Sequence, residues 1–291
     1  MSSPFLSVII PTYNRANVLE KCLRALQSQS LAKESFEVLV VDDGSSDFTP
    51  ELLKKWTEGW PNLKALHQKN AGQGNARNKA LKEATGQVIL FIGDDIFAAP
   101  DFLEKHATFH QDHPEKTAAC LGLTEWDPEQ PITPFMKWLT HGGPQFAYHH
   151  LMPEQEASFW YFYTSNISLK KDMLLEDSFD PDFKAYGWED IELGYRLMQK
   201  GLKLIYTPSA FAVHDHFMEP SSLKKRMINV GKSAVLFQKK QPDVKVLPTG
   251  FKKYFLRLVS SAPFLVLAFP FRRLYWTLLT KRYLLEGIRS I

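Results

Sequence analysis

Apolar and polar residues alternate in blocks along the first half of the chain. Leu6-Ser7-Val8-Ile9-Ile10 is a short β-branched run ending at Pro11, the pattern of a buried parallel strand. After Thr12-Tyr13-Asn14-Arg15, Leu19, Cys22, Leu23 and Leu26 recur at the spacing of one helical face, with Asn14 as candidate N-cap. A second strand is predicted from Phe36 to Val41, running into Asp42-Asp43-Gly44-Ser45-Ser46-Asp47, and a helix from about Thr49 to Trp56. A weaker strand, Leu63 to His67, leads into Asn70-Ala71-Gly72-Gln73-Gly74-Asn75-Ala76-Arg77-Asn78, which opens another helix. Val88 to Ile92 is a fourth buried strand and ends at Gly93-Asp94-Asp95.

Residues 120–165 are rich in Pro, Trp, Tyr and His and read as irregular loops with short elements. Tyr186-Gly187-Trp188-Glu189-Asp190 precedes an amphipathic helix carrying Ile191, Leu193, Gly194, Leu197 and Met198. A last strand, Leu202 to Thr207, and the segment Phe211 to His216 complete the body. Strands alternating with helices predict an α/β fold with a mostly parallel central sheet. The outstanding polar residues follow the carboxyl ends of the strands, the edge where open α/β sheets bind ligands.

Composition narrows this picture. The chain has 291 residues, 44% hydrophobic and 23% charged, enough for one large globular domain or a domain with an appendage. Its two cysteines, Cys22 and Cys120, exclude a disulfide framework and a Cys-based zinc or iron–sulfur site, and fit a cytoplasmic compartment. Met1-Ser2-Ser3-Pro4 has no basic region followed by an apolar stretch, so no signal peptide is expected. No run reaches the ~18–20 apolar residues of a spanning helix. The charge is uneven: residues 1–220 hold 20 basic and 30 acidic groups, residues 221–291 hold 15 and two. The body is thus about −10 and the remainder +13, which points the C-terminal part toward an anionic surface. Two units are expected, 1–220 and a basic, apolar-aromatic helical extension over 221–291. No recognised nucleic-acid module accompanies the basic residues, so nucleic acid is not an expected partner.

Several clusters could carry chemistry. Asp94 and Asp95 follow a buried strand, where adjacent carboxylates are costly unless a cation neutralises them; such sites suit Mg²⁺ or Mn²⁺ holding a substrate phosphate. The alternative is a solvated turn ahead of an N-cap at Asp101. His214 and His216, two apart on an extended segment, face the same way and could present two imidazoles to one site, or be ordinary surface histidines. Glu189 and Asp190 lie at a helix start, as general-base candidates or as capping residues, and Trp188 beside them could stack on a sugar. Asp42, Asp43 and Asp47 could accept hydrogen bonds from a base or ribose, or form an Asx-turn. Gly72-Gln73-Gly74 lacks the third glycine of a dinucleotide fingerprint, and neither a Walker A loop nor a Gly-x-Ser-x-Gly elbow is present.

Read in order, Ser7 to Arg15, Val40 to Asp47, Asn70 to Asn78, Gly93-Asp94-Asp95 and Gly187-Trp188-Glu189-Asp190 resemble a family 2 glycosyltransferase over about residues 5–235. The resemblance implies the GT-A (Rossmann-like) fold and an inverting transfer from a nucleotide-diphosphate sugar, UDP-linked by default, to a glycan or lipid-linked hydroxyl. It implies that Pro11, Thr12, Tyr13 and Arg15 line the nucleotide, that Asp42 or Asp43 meets the base, and that Arg77 meets the base or phosphates. The family's Asp-x-Asp falls on Gly93-Asp94-Asp95, with Gly93 where many members carry the first aspartate. Asp95 and His214 are then the ligands of Mn²⁺ or Mg²⁺, with His216 beside them, and Asp94 meets the ribose or a metal-bound water. Asp190 is the expected base, with Glu189 next to it; Asn166 and Trp188 line the sugar or acceptor pocket.

The expected partners are a donor, an acceptor and an anionic membrane surface met by residues 251–285, at the inner face of the cytoplasmic membrane. A C-terminal helical pair packed on the body is the competing account of that segment. A non-catalytic nucleotide-sugar-binding partner is the rival function, on Gly93. A nucleotidyltransferase is disfavoured by the absence of glycine from the first loop.

Overall fold

The β-branched runs form the buried strands of one sheet, and the periodic segments form the helices that cover it. The computed structural model describes residues 3–175, 177–184 and 186–291; Met1 and Ser2 of the opening segment lie outside them. In chain order the elements are β1 (Leu6–Thr12), α1 (Ala16–Gln27), β2 (Phe36–Asp42), α2 (Thr49–Gly59), β3 (Leu63–His67), α3 (Gln73–Glu83), β4 (Val88–Ile92), β5 (Ile96–Ala98), α4 (Phe102–Asp112) and β6 (Ala118–Trp126). They continue with α5 (Pro134–Thr140), β7 (Glu156–Ala157), β8 (Asn166–Lys170), α6 (Asp172–Leu175), α7 (Glu189–Gln199), β9 (Lys203–His214), α8 (Leu223–Lys240), α9 (Gly250–Val259), α10 (Ala262–Ala268) and α11 (Arg272–Arg289).

The sheet order is β3-β2-β1-β4-β8-β6-β9-β5, with β7 added on β9. Alternation along β1 divides the core. Leu6, Val8 and Ile10 pack with Leu19, Leu23 and Leu26 of α1 on one face. Ile9 joins Ala76 and Ala80 of α3 and Leu193 and Leu197 of α7 on the other. The mostly parallel sheet expected from the sequence is corrected to a mixed one. β3, β2, β1 and β4 are parallel, but β8 runs antiparallel to β4 and β6, and β5 and β7 run antiparallel to β9. β6 and β9 pair in parallel.

Of the four strands that the pattern did not predict, β6, β7 and β8 lie in or beside the 120–165 window, and β5 follows the Asp94-Asp95 turn. β6 is a nine-residue buried strand, not a loop, and β9 is continuous from Lys203 to His214. β8 escapes the pattern because Asn166 and Ser168 face a buried polar seam and break its apolar run. Asn14 also differs from expectation. It adopts a left-handed φ of 54°, and its side-chain oxygen accepts the N–H of Ser46 instead of capping α1. Asp47 takes over, accepting the N–H of Ala16 at 3.2 Å. Asp101 stands at the N-cap of α4 without a side-chain capping bond.

The C-terminal segment divides. α8 and α11 pack on the body through Trp126, Phe135, Trp138, Met227 and Trp276. They touch each other backbone to backbone: a Cβ on Gly231 would lie 2.4 Å from the Leu284 carbonyl oxygen, so a larger residue there would force the helices apart. α9 has no buried residue. Among the described residues no helix is long and apolar enough to cross a membrane.

Candidate active site

The parallel half of the sheet delivers its strand ends to one edge, and the carboxylates gather there. Thr12 at the end of β1 donates its hydroxyl to Asp94 at 2.7 Å. Arg15, just before α1, bridges the pair: its Nε lies 3.4 Å from Asp94 and its Nη2 3.0 Å from Asp95. From the far side of the sheet the end of β9 brings His214 Nε2 to 3.2 Å, and the segment just after it brings His216 Nδ1 to 3.1 Å, from the same oxygen, Oδ2 of Asp95. His214 is held flat against Trp126, ring centroids 5.1 Å apart. A Cβ on Gly93 would sit 2.7 Å from Asp95 Oδ1, so this carboxylate orientation requires glycine at position 93.

The two aspartates differ electrostatically. Burial and then the charge of Asp95 push Asp94 up to about 7, against the pull of Arg15 and Thr12. Burial also opposes ionisation of Asp95, but His214, His216 and Arg15 outweigh it and hold that carboxyl well below its ordinary range. One carboxylate oxygen and two imidazole nitrogens, all within 4.8 Å of one another, form a donor set for a divalent cation. The imidazoles favour Mn²⁺ over Mg²⁺. The residues present therefore fit the expected metal.

A cavity of about 270 Å³ beside this edge is lined by Pro11, Thr12, Tyr13, Arg15, Asp43 and Asp94. Asp42 is not on its wall. Its carboxylate is spent on an Asx-type turn, accepting from the Ser45 N–H, and on Nδ1 of His67, each at 2.8 Å. Asp43 reaches the cavity, yet its oxygens already accept from the N–H groups of Ala71 and Gly72 and from Gln68. It shapes the turn where Gly72, at φ +92°, passes against the Lys184 carbonyl.

A deeper cavity of about 370 Å³ is lined by Asp94, Asp95, His214 and His216 together with Arg77, Glu189 and Asp190. Gly187 and Trp188 turn the chain into α7 through left-handed φ values of 99° and 75°. Such a value is strained for tryptophan; the indole is anchored by its N–H to the Val230 carbonyl at 3.0 Å and by packing on Phe237. Trp188 is thus pinned to α8, although it still edges a third cavity with Trp160, Tyr163 and Asp190. Glu189 is buried, accepts from Gln73 and from the Gly187 N–H, and lies 3.8 Å from Arg77. Burial, then the Asp190 charge, raises it to about 7. Burial likewise raises Asp190, against the Ile191 N–H that its Oδ1 accepts at 2.8 Å. Arg77 is buried, and its Nε and Nη1 have no hydrogen-bond partner.

Asn166 is placed elsewhere than expected. It is fully buried, donates to the carbonyls of Leu123 and Ala210, and accepts from His106, which with His110 also meets Ser168. Its amide locks β6, β8 and β9 together, while its neighbours Thr164 and Ser165 line the cavity. Burial lowers His106 to about 4, so the seam stays neutral. Asn166→Ala is expected to cost about 2–3 kcal/mol by leaving several buried partners unsatisfied. Urea unfolding would register it as a lower midpoint with donor KM unchanged; a raised KM at unchanged stability would return Asn166 to the ligand pocket.

Sequence reasoning missed Arg226, which reaches from α8 to Gln145 and to the Tyr186 hydroxyl at the cavity wall. Nothing separates it in sequence from the other basic residues of the C-terminal segment.

The comparisons with known proteins agree with this architecture. Residues 7–167 match the glycosyl transferase family 2 model. The chain is similar to validoxylamine A glucosyltransferase of Streptomyces hygroscopicus subsp. jinggangensis, 29% identical over 268 residues that cover 83% of this chain and 62% of that one. The counterpart from subsp. limoneus is also 29% identical, and this chain covers 58% of it, so the chain spans about three fifths of these curated relatives' length. Among solved structures it resembles the mannosyltransferase PcManGT from Pyrobaculum calidifontis in complex with GDP-Man and Mn²⁺, at TM-score 0.66 and 21% identity over 98% of this chain and 86% of that one. Staphylococcus aureus TarS 1–349 in complex with UDP-GlcNAc gives TM-score 0.58 and 21% identity over 78% of this chain and 65% of that one. The structural likeness establishes the GT-A fold, and since the family model spans more than half of the chain and runs through the strand ends that build the cleft, this protein belongs to glycosyl transferase family 2.

Proposed function

We propose that this protein is an inverting glycosyltransferase that moves a sugar from a nucleoside-diphosphate donor to a hydroxyl of a glycan or lipid-linked acceptor, with Asp190 as general base. The observation that carries this reading is one cavity lined by both the Asp95–His214–His216 donor set and the Glu189–Asp190 pair. The GDP-Man and Mn²⁺ of PcManGT and the UDP-GlcNAc of TarS support a metal-assisted nucleotide-sugar donor; a UDP-sugar is the default.

Asp95 and His214, with His216, would hold a divalent cation, which would supply positive charge against the departing nucleoside diphosphate. Arg15 keeps both aspartates oriented, and Thr12 fixes Asp94 toward the ribose side. Asp190 takes the proton of the acceptor hydroxyl as that oxygen attacks the anomeric carbon from the face opposite the leaving group. One displacement inverts configuration and requires no carboxylate nucleophile. Trp160, Tyr163 and Trp188 around Asp190 give the acceptor an aromatic wall. Incubation with sugar nucleotides and Mn²⁺ tests the reading: nucleoside diphosphate release supports it, whereas pyrophosphate release from a nucleoside triphosphate would make the protein a nucleotidyltransferase.

Residues 1–220 carry the catalytic carboxylates and histidines of this proposal, and 221–291, apart from the Arg226 that α8 brings to the cavity wall, seat the protein on an anionic membrane at the cytoplasmic face. The support is α9, where Phe251, Tyr254, Phe255 and Leu258 form one helical stripe, all exposed, Phe251 by 83%. Lys252, Lys253 and Arg257 flank the stripe, and no acid occurs between Asp243 and Glu286. Each basic residue near such a surface contributes about 1 kcal/mol. Phe251→Glu with Phe255→Glu is expected to abolish flotation with anionic liposomes while the native chain floats; equal partitioning would remove the membrane from the account.

A further inference from the structure

Beyond His214 lies a larger cavity, of about 650 Å³, that the transfer chemistry does not use. Phe146 forms part of both walls, and Trp126, which stacks on His214, faces it from the other side. Its walls are aromatic, with Trp126, Phe146, Tyr148 and Tyr206 among them, while the Thr124 and Tyr148 hydroxyls are buried against each other. Aromatic faces around a cavity of this size suit the apolar face of a sugar ring.

The rim has a different chemistry. Lys137 of α5 and Arg273 in the first turn of α11 both line the cavity, and neither has an acidic partner within 4.0 Å among the described residues. His141 and His149 stand stacked at the same rim, 5.3 Å between ring centroids, and Glu125 is the one acid of the lining. A guanidinium and an ammonium group lining one cavity suit a phosphate ester. Next to Arg273 the corner between α10 and α11 exposes Phe269, Phe271 and Leu274, with Arg272 stacked on Phe269 at 4.4 Å. Aromatic walls and cationic side chains thus share one cavity, and the exposed apolar corner adjoins it in sequence at Arg273.

We propose that this cavity holds the stem of the acceptor, a sugar joined through phosphate to a lipid: the sugar passes Phe146 toward Asp190, the phosphate meets Arg273 and Lys137, and the chain leaves along Phe269 and Phe271. The assignment rests on the transferase reading and specifies its acceptor.

Titration calorimetry with decyl phosphate, decyl glucoside and inorganic phosphate tests it on the full chain, native and carrying Arg273→Ala with Lys137→Ala. Both side chains are exposed, so folding is not at stake. Saturable decyl phosphate binding, at least about tenfold weaker in the double variant and about tenfold tighter than either control, is expected from loss of charge-assisted bonds. Inorganic phosphate binding as tightly as decyl phosphate would make this a site for free phosphate and overturn the lipid-linked stem. Equal decyl phosphate binding by both proteins would overturn the site itself. The Mn²⁺-dependent stabilisation by donor, measured on the same two samples, separates the readings: its presence alongside failed decyl phosphate binding rejects this assignment alone, and its absence from the native chain rejects the transferase reading.

Discussion

Asp190→Asn is expected to bind donor normally and to lose turnover by about 10²–10⁴-fold, the range of a positioned general base. Asparagine retains the Oδ1 that accepts the Ile191 N–H, so the start of α7 stays as it is and only basicity is removed. Near-normal transfer by the variant would exclude Asp190 as base and move the role to Glu189. The same substitution has a stability signature. Burial and the Asp190 charge raise Glu189 from 4.5 to about 7. The folded chain therefore keeps a proton that the unfolded chain releases between those values, and stability falls as pH rises through that window. Removing the neighbouring charge lessens the fall, so Asp190→Asn gains melting temperature relative to the native chain at pH 8 and not at pH 4. A gain of equal size at both would show that the two carboxylates do not interact.

Asp95→Asn is expected to lower turnover by about 10³-fold and to abolish the Mn²⁺ dependence of donor binding. The shape of the side chain is kept, but the charge that draws Arg15, His214 and His216 to one oxygen is gone. Three donors then face a neutral amide, and the carboxylate of the metal set is lost. Asp94, raised by burial and then by the charge of Asp95, loses the second of these causes, so it ionises at lower pH and pairs more strongly with Arg15. A variant that still turned over with native Mn²⁺ dependence would show that this trio is not the cation site.

The parallel half of the fold was legible because β1, β2 and β4 are buried along their whole length and read as apolar runs, whereas β3, an edge strand with Lys64, Ala65 and His67 exposed, gives the weaker signal. The other half was not. Asn166 and Ser168 turn inward to His106 and His110, so β8 carries polar residues in a fully buried strand and gives no apolar signal. β6 is apolar over its first half but lies in a window whose Pro, Trp and Tyr content reads as loop. The candidate site follows the same division. Asp94, Asp95, Glu189, Asp190 and His214 converge on one cavity from three segments that are far apart in sequence, an arrangement the motif order implied. Local spacing could not reveal that Asn166 supports the sheet, that Asp42 is consumed by its own turn, or that Arg226 returns from α8 to the wall. Each depends on a contact between elements that only the folded chain brings together.

The central claim is that Asp95 and His214 hold a divalent cation for a nucleoside-diphosphate sugar. Thermal unfolding with UDP-, GDP- and dTDP-sugars, each with and without Mn²⁺, tests it on the native chain and on Asp95→Asn. Ligand binding to the folded state raises the melting temperature by mass action. The account predicts a Mn²⁺-dependent rise with one nucleotide family, absent from the variant. No rise with any donor, or a rise indifferent to Mn²⁺ and equal in Asp95→Asn, would contradict it.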